Sequence, residues 1–318
     1  MDLAREPICI AFCISNSFAQ HAAVVIASAL ANSPGEKLEF HLLCGDLSEE
    51  NHALLTRMAN ARCALFFYTV DRSAFNHYPV ALEYFSQEIY YRYLIPELIP
   101  RKRILYSDVD VLMLRPLRPL WETALNGNAL GAVKEYNEYR KATSAEAIKW
   151  KGYKRAIGMD ENTPYFYSGL LLMDCDRLRA EAFTQRCFED TETCIRTLDK
   201  ETFGASDQVV INRLYEGRLT EIPPTWCVTH DMKRTYKGPV SIRHFAGQYE
   251  KPWCNVAWNT GWFAYLHYLL RTPYRHNALR FLLGHLKGIV FSCHTKKGYT
   301  RAFLFGIRLW KRRLPDQP

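Results

Sequence analysis

Two carboxylates two residues apart close an apolar run: Arg103-Ile104-Leu105-Tyr106 continues into Ser107-Asp108-Val109-Asp110-Val111. In an extended segment such residues project to the same side, so Asp108 and Asp110 address one site while Val109 and Val111 face the core. Carboxylates that close repel each other unless a cation neutralises them, and hard oxygen ligands favour Mg2+ or Mn2+. A divalent ion there can clamp a diphosphate and stabilise its charge as it leaves. Asp-x-Asp is also common in solvated loops, so the pair gains meaning from the elements that position it.

Those elements alternate. Apolar runs predict strands over residues 8–14, 38–44, 64–70 and 103–106. Between them fall helical stretches over residues 21–32, from Ser48 with Glu49 and Glu50 in the first turn, and over residues 86–98. This β-α-β-α-β succession implies a parallel sheet covered on both faces, a Rossmann-like α/β architecture. Such sheets bind ligands at the carboxyl ends of their strands, where the two aspartates fall. No Gly-x-Gly-x-x-Gly follows the first strand, which disfavours a dinucleotide oxidoreductase. Further strands are expected over residues 129–133 and 168–173, a long helix over 175–198 and a short one over 206–214.

Composition is that of a soluble globular protein, with 48% hydrophobic and 23% charged residues. The ten cysteines form no Cys-x-x-Cys pair, and Cys9, Cys13, Cys44 and Cys63 lie in apolar strand-like runs. They read as buried thiols in a reducing cytoplasm rather than a disulfide framework. The apolar stretch of residues 8–30 is interrupted by polar residues and suits neither a signal peptide nor a membrane span. Net charge is +8, yet residues 271–318 carry 11 Lys/Arg against one acid, a local +10 that leaves −2 on the first 270.

Blocks further along carry a family resemblance. Tyr90-Tyr91-Arg92-Tyr93-Leu94-Ile95-Pro96, the run ending in Asp108-Val109-Asp110, and Pro116-Leu117-Arg118-Pro119-Leu120-Trp121 resemble the retaining glycosyltransferases of family 8. So do Tyr165-Phe166-Tyr167-Ser168-Gly169, Asp207-Gln208-Val209-Val210-Ile211-Asn212, and His244-Phe245-Ala246-Gly247 leading to Lys251-Pro252-Trp253. That family includes bacterial lipopolysaccharide galactosyl- and glucosyltransferases and glycogenin. The blocks span roughly residues 8–255 in the family's order, which is far more specific than any one of them.

The resemblance implies a GT-A fold, a UDP-sugar donor, and Mn2+ (with Mg2+ as the alternative) on Asp108, Asp110 and His244. It further implies that Gly247 and Lys251 hold the diphosphate, that Arg92, Ser168 and Gly169 border the donor, and that Asp207 and Gln208 stand beside the anomeric carbon. Glu135 matches an acidic position near donor sugar and acceptor. Without the family, His244 would read as an ordinary core or surface histidine and Arg92 as a helix-surface arginine. Two departures stand out. The turn after the first strand, Ser15-Asn16-Ser17-Phe18, lacks the family's usual acid, although Ser15 and Asn16 can still hydrogen-bond a base or ribose. Tyr167 replaces the usual asparagine, which implies either a remodelled sugar pocket or a subfamily with a different donor.

The expected organisation is a GT-A catalytic domain over residues 1–260 and a basic, mostly helical C-terminal extension over 261–318. Phe303, Ile307, Trp310 and Leu314 recur at helical spacing among Arg301, Arg308, Lys311 and Arg312, a pattern suited to an anionic membrane surface. Nothing points to nucleic acid. The expected activity is hexosyl transfer, galactose or glucose, to a glycan or glycolipid acceptor such as lipopolysaccharide, by a protein peripheral on the inner face of the cell membrane. Two other readings compete. A nucleotidyltransferase would need a basic triphosphate loop where Ser15-Asn16-Ser17 stands. A degenerate homologue acting as a membrane-associated scaffold would have no use for an intact metal triad.

Overall fold

The computed structural model describes residues 6–80, 86–204, 206–232, 236–247, 250–254, 261–296, 299–305 and 307–313. The chain divides into two compact units, Met1–His244 and Phe245–Pro318.

The first unit alternates strands and helices as the apolar spacing demands: β1 (Ile8–Ile14), α1 (Ala19–Asn32), β2 (Leu38–Cys44), α2 (Glu49–Thr56) and β3 (Cys63–Thr69). Ser48 caps α2 by accepting from the Asn51 amide, with Glu49 and Glu50 facing the helix dipole. Then come α3 (Ile95–Leu98), β4 (Arg103–Ser107), β5 (Val111–Met113), α4 (Arg118–Trp121), β6 (Leu130–Lys134), α5 (Ala145–Ala156), β7 (Phe166–Asp174), α6 (Cys175–Ala180), α7 (Phe183–Thr197), α8 (Ser206–Leu214), β8 (Leu219–Glu221) and β9 (Ile242–His244).

Among the described residues seven strands form one sheet in the order β3-β2-β1-β4-β7-β6-β8, and β5 pairs with β9 apart from it. The expected all-parallel sheet needs one correction. β7 runs antiparallel to both β4 and β6, while the remaining ladders are parallel. That reversal has a purpose: it sets the start of β7 beside the end of β4, with Ser107 opposite Leu170 and the Asp108 amide donating to the Gly169 carbonyl at 2.9 Å. The order also reverses at β1, which has β2 on one side and β4 on the other, and such a switch point opens a crevice at the strand ends.

Two expected helices are built differently. Residues 86–98 form a 3-10 helix, Gln87–Leu94, followed by the single turn α3. Pro96 cannot donate to the Arg92 carbonyl and its ring crowds that oxygen, so a continuous α-helix is blocked. The tighter coil buries Tyr90, Tyr91, Tyr93 and Arg92 together. The stretch 175–198 is broken into α6 and α7 at Ala182, whose φ of 51° cannot continue a helix.

The second unit contains α9 (Trp262–Leu269), α10 (Ala278–Val290) and an antiparallel sheet of β10 (Phe291–Lys296), β11 (Tyr299–Leu304) and β12 (Ile307–Arg313). The extension therefore begins helical, but the helix expected over residues 301–314 is a pair of strands. Phe303 lies on β11 and pairs with Arg308, while Ile307 and Trp310 lie on β12; Leu314 falls outside the described residues. Aromatic and β-branched residues favour the pleated surface over the helix here, and the i, i+4, i+7 spacing is incidental to it. Among the described residues no helix is long and apolar enough to cross a membrane.

Candidate active site

The carboxyl end of β4 delivers Asp108, and the bend that follows delivers Asp110. Val109 and Val111 turn into the core on the other side, as their alternation requires. β9 runs back along β5 with His244 opposite Val111, which brings the imidazole to the two acids. His244 Nε2 lies 3.1 Å from Asp110 Oδ1 and 3.8 Å from Asp108 Oδ2. His244 is buried, and its Nδ1 stands 3.5 Å from the Cys227 thiol, which fixes the ring. Burial opposes the imidazolium, but the Asp110 carboxylate outweighs it and holds the His244 pKa well above the usual value.

Asp108 is braced from behind. Tyr106, two residues earlier on the same side of β4, donates its hydroxyl to Asp108 Oδ1 at 2.6 Å, and Arg92 donates to the same oxygen at 3.2 Å. The Arg92 guanidinium stacks over the Tyr106 ring at 4.5 Å, donates to the Ser168 carbonyl at 2.8 Å and lies 2.9 Å from Asp207 Oδ2. Arg92 is buried, and so is Asp207. The reading of Arg92 as a helix-surface residue is therefore corrected: it is a buried cation held between two carboxylates. Burial pushes the Asp207 carboxyl up to about 6, while Arg92 and a hydrogen bond from Ser168 pull it down.

Ser168 and Gly169 lie in the first half of the reversed strand. The Ser168 amide donates to Gln208 Oε1 at 3.0 Å, so α8 is registered against β7 at this point. Asn212, one helical turn on, completes the clamp by exchanging hydrogen bonds with the Phe166 amide and carbonyl. Gly169 has no room for a side chain: a Cβ would stand 2.6 Å from Asp108 Oδ2 and 2.7 Å from His244 Cε1. Tyr167 places its ring 5.9 Å from the His244 ring.

Glu135 follows β6, its amide bonded to the Tyr165 carbonyl beside the start of β7. Its side chain accepts from the Asn137 amide, and desolvation raises its carboxyl to about 7. Ser15 and Asn16 lie at the carboxyl end of β1. Ser15 shares a hydrogen bond with Ser17, while Asn16 Oδ1 accepts from the Ser48 amide and from Asn51 Nδ2, both at 2.8 Å. Asn16 thus ties the β1 turn to the start of α2. Gly247 and Lys251 belong to the second unit, where Gly247 has a φ of 98° that only glycine adopts readily.

The sequence reading missed Tyr106, Cys227 and Asn212. Tyr106 was accessible from the same two-residue period that paired the aspartates. Asn212 was accessible as one turn beyond Gln208. Cys227 had no signal, because only the pairing of β9 brings it behind His244.

Donor atoms of Asp108, Asp110 and His244 all lie within 4.8 Å of one another, and the cradle is closed by a glycine that a Cβ would fill. Two carboxylates and an imidazole suit a divalent ion such as Mn2+ or Mg2+, with open positions left for substrate oxygens.

Comparison with known proteins agrees with this geometry. The glycosyl transferase family 8 model matches residues 9–257. Among curated relatives, General stress protein A of Bacillus subtilis is 22% identical over 82% of this chain and 93% of its own length. Lipopolysaccharide 1,2-glucosyltransferase of Escherichia coli is 23% identical over 73% of this chain and 66% of its own. The crystal structure of the galactosyltransferase LgtC with donor and acceptor sugar analogues shares the fold, with a TM-score of 0.73 and 24% identity over 83% of this chain and 96% of that one. With Asp108, Asp110 and His244 gathered at the strand ends of a GT-A sheet and a family match over most of its length, the chain belongs to glycosyl transferase family 8.

Proposed function

We propose that this nucleotide-sugar-dependent glycosyltransferase moves a hexose, galactose or glucose, from a UDP-sugar to a glycan or glycolipid acceptor such as lipopolysaccharide, with retention of anomeric configuration. The observation that carries the reading is the convergence of Asp108, Asp110 and His244 at the strand ends, braced by Arg92 and Tyr106. Mn2+ held by the three would neutralise the diphosphate as it departs. Arg92 and Tyr106 occupy Asp108 Oδ1, so the Oδ2 oxygen is the one turned toward His244. Holding the acids in place before substrate arrives removes a reorganisation cost from the reaction.

Gln208 is anchored through its carbonyl by the Ser168 amide. An amide so held is a positioning group rather than a nucleophile. With no carboxylate in the role a retaining glycosidase would give it, departure and attack on the same face, with the leaving diphosphate as base, suits the site. Asp207 and Glu135 serve the sugar hydroxyls, Ser15 and Asn16 the uridine, and Gly247 and Lys251 the diphosphate. Asn16 can give the base only what its bonds to Ser48 and Asn51 leave free. Tyr167 narrows the sugar pocket relative to an asparagine.

Association with an anionic membrane is supported by α10 more than by the strands that follow it. Leu279, Leu283, Leu286 and Val290 form an exposed stripe at i, i+4, i+7 and i+11, and Arg280 and Lys287 are exposed on the same helix. The test of the activity is transfer from UDP-galactose and UDP-glucose to a lipooligosaccharide acceptor with Mn2+, followed by NMR of the new anomeric centre. Retained configuration from one of these donors is expected. An inverted product, or transfer only from a donor other than a UDP-hexose, overturns the proposal; donor binding with no transfer to any acceptor favours the scaffold reading.

A further inference from the structure

A second group of metal-ligand side chains lies at the opposite end of the same sheet. Cys9 on β1, and Glu39 and His41 on β2, bring one donor atom each within 4.8 Å of one another. The parallel register sets Cys9 beside Glu39 and Ala11 beside His41, so side chains two apart along β2 share a face with Cys9. The Cys9 thiol lies 3.4 Å from Glu39 Oε2, and His41 Nε2 lies 3.6 Å from the same oxygen. These are the spacings of ligands around a tetrahedral ion with metal–ligand bonds of about 2.0–2.3 Å. Tyr106, two residues before Asp108, is level with Ala11. Asp108 is therefore level with Cys13, about 13 Å beyond Cys9 along the strand direction at about 3.3 Å per residue.

The imidazole supplies the second observation. His41 is 1% exposed, and its Nε2 has no hydrogen-bond partner although it points into the cluster. Its Nδ1 is 3.0 Å from the Tyr68 hydroxyl. If Nδ1 accepts from Tyr68, Nε2–H faces Glu39 Oε2 at 3.6 Å, beyond hydrogen-bond reach; if Nδ1–H donates to Tyr68, the Nε2 lone pair faces that carboxylate. Either state leaves a buried nitrogen without a hydrogen bond. A metal on Nε2 resolves this, because Nδ1–H then donates to the tyrosine oxygen as ligating histidines do to their outer partners. Arg101 plays the matching part for the carboxylate, donating to Glu39 Oε2 at 2.8 Å. Phe66 stacks on the His41 ring at 4.9 Å and covers one face of it.

We propose that Cys9, Glu39 and His41 form a second metal site, for Zn2+ or a cation of similar softness, distinct from the oxygen-rich site at Asp108 and Asp110. Thiolate, imidazole and carboxylate together select a borderline ion over Mg2+ or Mn2+. Binding displaces the Cys9 thiol proton to solvent, and the thiolate and carboxylate then balance the dication. Three protein ligands leave a fourth position for water.

The test titrates the metal-free, full-length protein with Co2+, on a Cys293→Ser background that removes the exposed thiol. A near-ultraviolet thiolate-to-cobalt band saturating at one equivalent and displaced by Zn2+ is expected. It should persist in Asp108→Asn/Asp110→Asn, vanish in Cys9→Ser and His41→Gln, and in Tyr68→Phe require roughly 10–100-fold more metal. Absence of the band in the parent protein, or its survival undiminished in Cys9→Ser, overturns the proposal. Because a core variant can fail to fold, Zn2+ protection of Cys9 from iodoacetamide is read in the parent by peptide mass mapping. Protection supports the site and equal labelling with and without Zn2+ refutes it.

Discussion

Two histidines meet carboxylates, one on β2 of the main sheet and one on β9 beside its strand ends, and their surroundings separate two kinds of chemistry. His244 joins two aspartates at the carboxyl end of β4, where Asp108 retains partial exposure and can reach a substrate. His41 joins one glutamate and a thiol in the first half of β1 and β2, with the Phe66 ring stacked on the imidazole. The first cluster is braced by hydrogen bonds to Asp108 from Arg92 and Tyr106, and the second by partners of its imidazole and carboxylate, Tyr68 and Arg101. Proximity of ligands is thus common to both. What differs is donor type: hard oxygens at a switch point suit phosphate chemistry, and a mixed set of thiol, imidazole and carboxylate suits a softer ion.

The comparison breaks most sharply at the ligands. Asp108→Asn/Asp110→Asn should lower transfer by on the order of 10³-fold or more, because the several kcal/mol of charge stabilisation from a bound metal is lost. Cys9→Ser should leave initial transfer rates with Mn2+ within about two-fold, since it lies about 13 Å from Asp108 along the strand direction. Equal losses in the two variants would merge the sites into one.

Arg92→Met should come next. It removes a buried cation from between Asp207 and Asp108 and leaves the buried Asp207 carboxylate unpaired, at a cost of roughly 3–5 kcal/mol in chemical denaturation. A change below about 1 kcal/mol, the range of a surface charge, would contradict its place in the core. Gly169→Ala should follow, with transfer reduced by roughly 10–100-fold as the new methyl displaces Asp108 or His244; activity at the parental level would deny the tight closure.

The smallest effect concerns pH. The folded Glu135 carboxyl, at about 7, binds its proton more tightly than the unfolded chain, whose value is near 4.5. Stability is therefore fully supported below about pH 4.5 and declines as pH rises toward 7. Glu135→Gln should flatten that decline by about 1–3 kcal/mol between pH 5 and 8 in denaturant titrations. An unchanged slope would mean the carboxyl is well solvated.

Much of the first unit was legible, because apolar runs and helical spacing record burial directly and the Asp-x-Asp pair ends the run that becomes β4. The blocks around Arg92, Ser168 and Gln208 marked a neighbourhood, but not that Arg92 is buried, since one arginine in a helical stretch looks the same on either face. Only the reversal of β7, which local pattern does not encode, explains why Ser168 and Gly169 reach Asp108. The C-terminal strands were misread for a related reason: Phe303, Ile307 and Trp310 satisfy a helical period by accident, and the hairpin pairing that overrides it is non-local. His41 was hidden inside an apolar run, and its role emerges from the register of β1 on β2.

If the Asp108–Asp110–His244 cluster is a donor-binding metal centre, calorimetric titration of UDP-galactose and UDP-glucose with and without Mn2+ reads it out. One UDP-sugar should bind the parent protein only with Mn2+, and this binding should be lost in Asp108→Asn/Asp110→Asn while the variant still unfolds cooperatively. Binding of equal strength without metal, or in the double variant, would contradict that role.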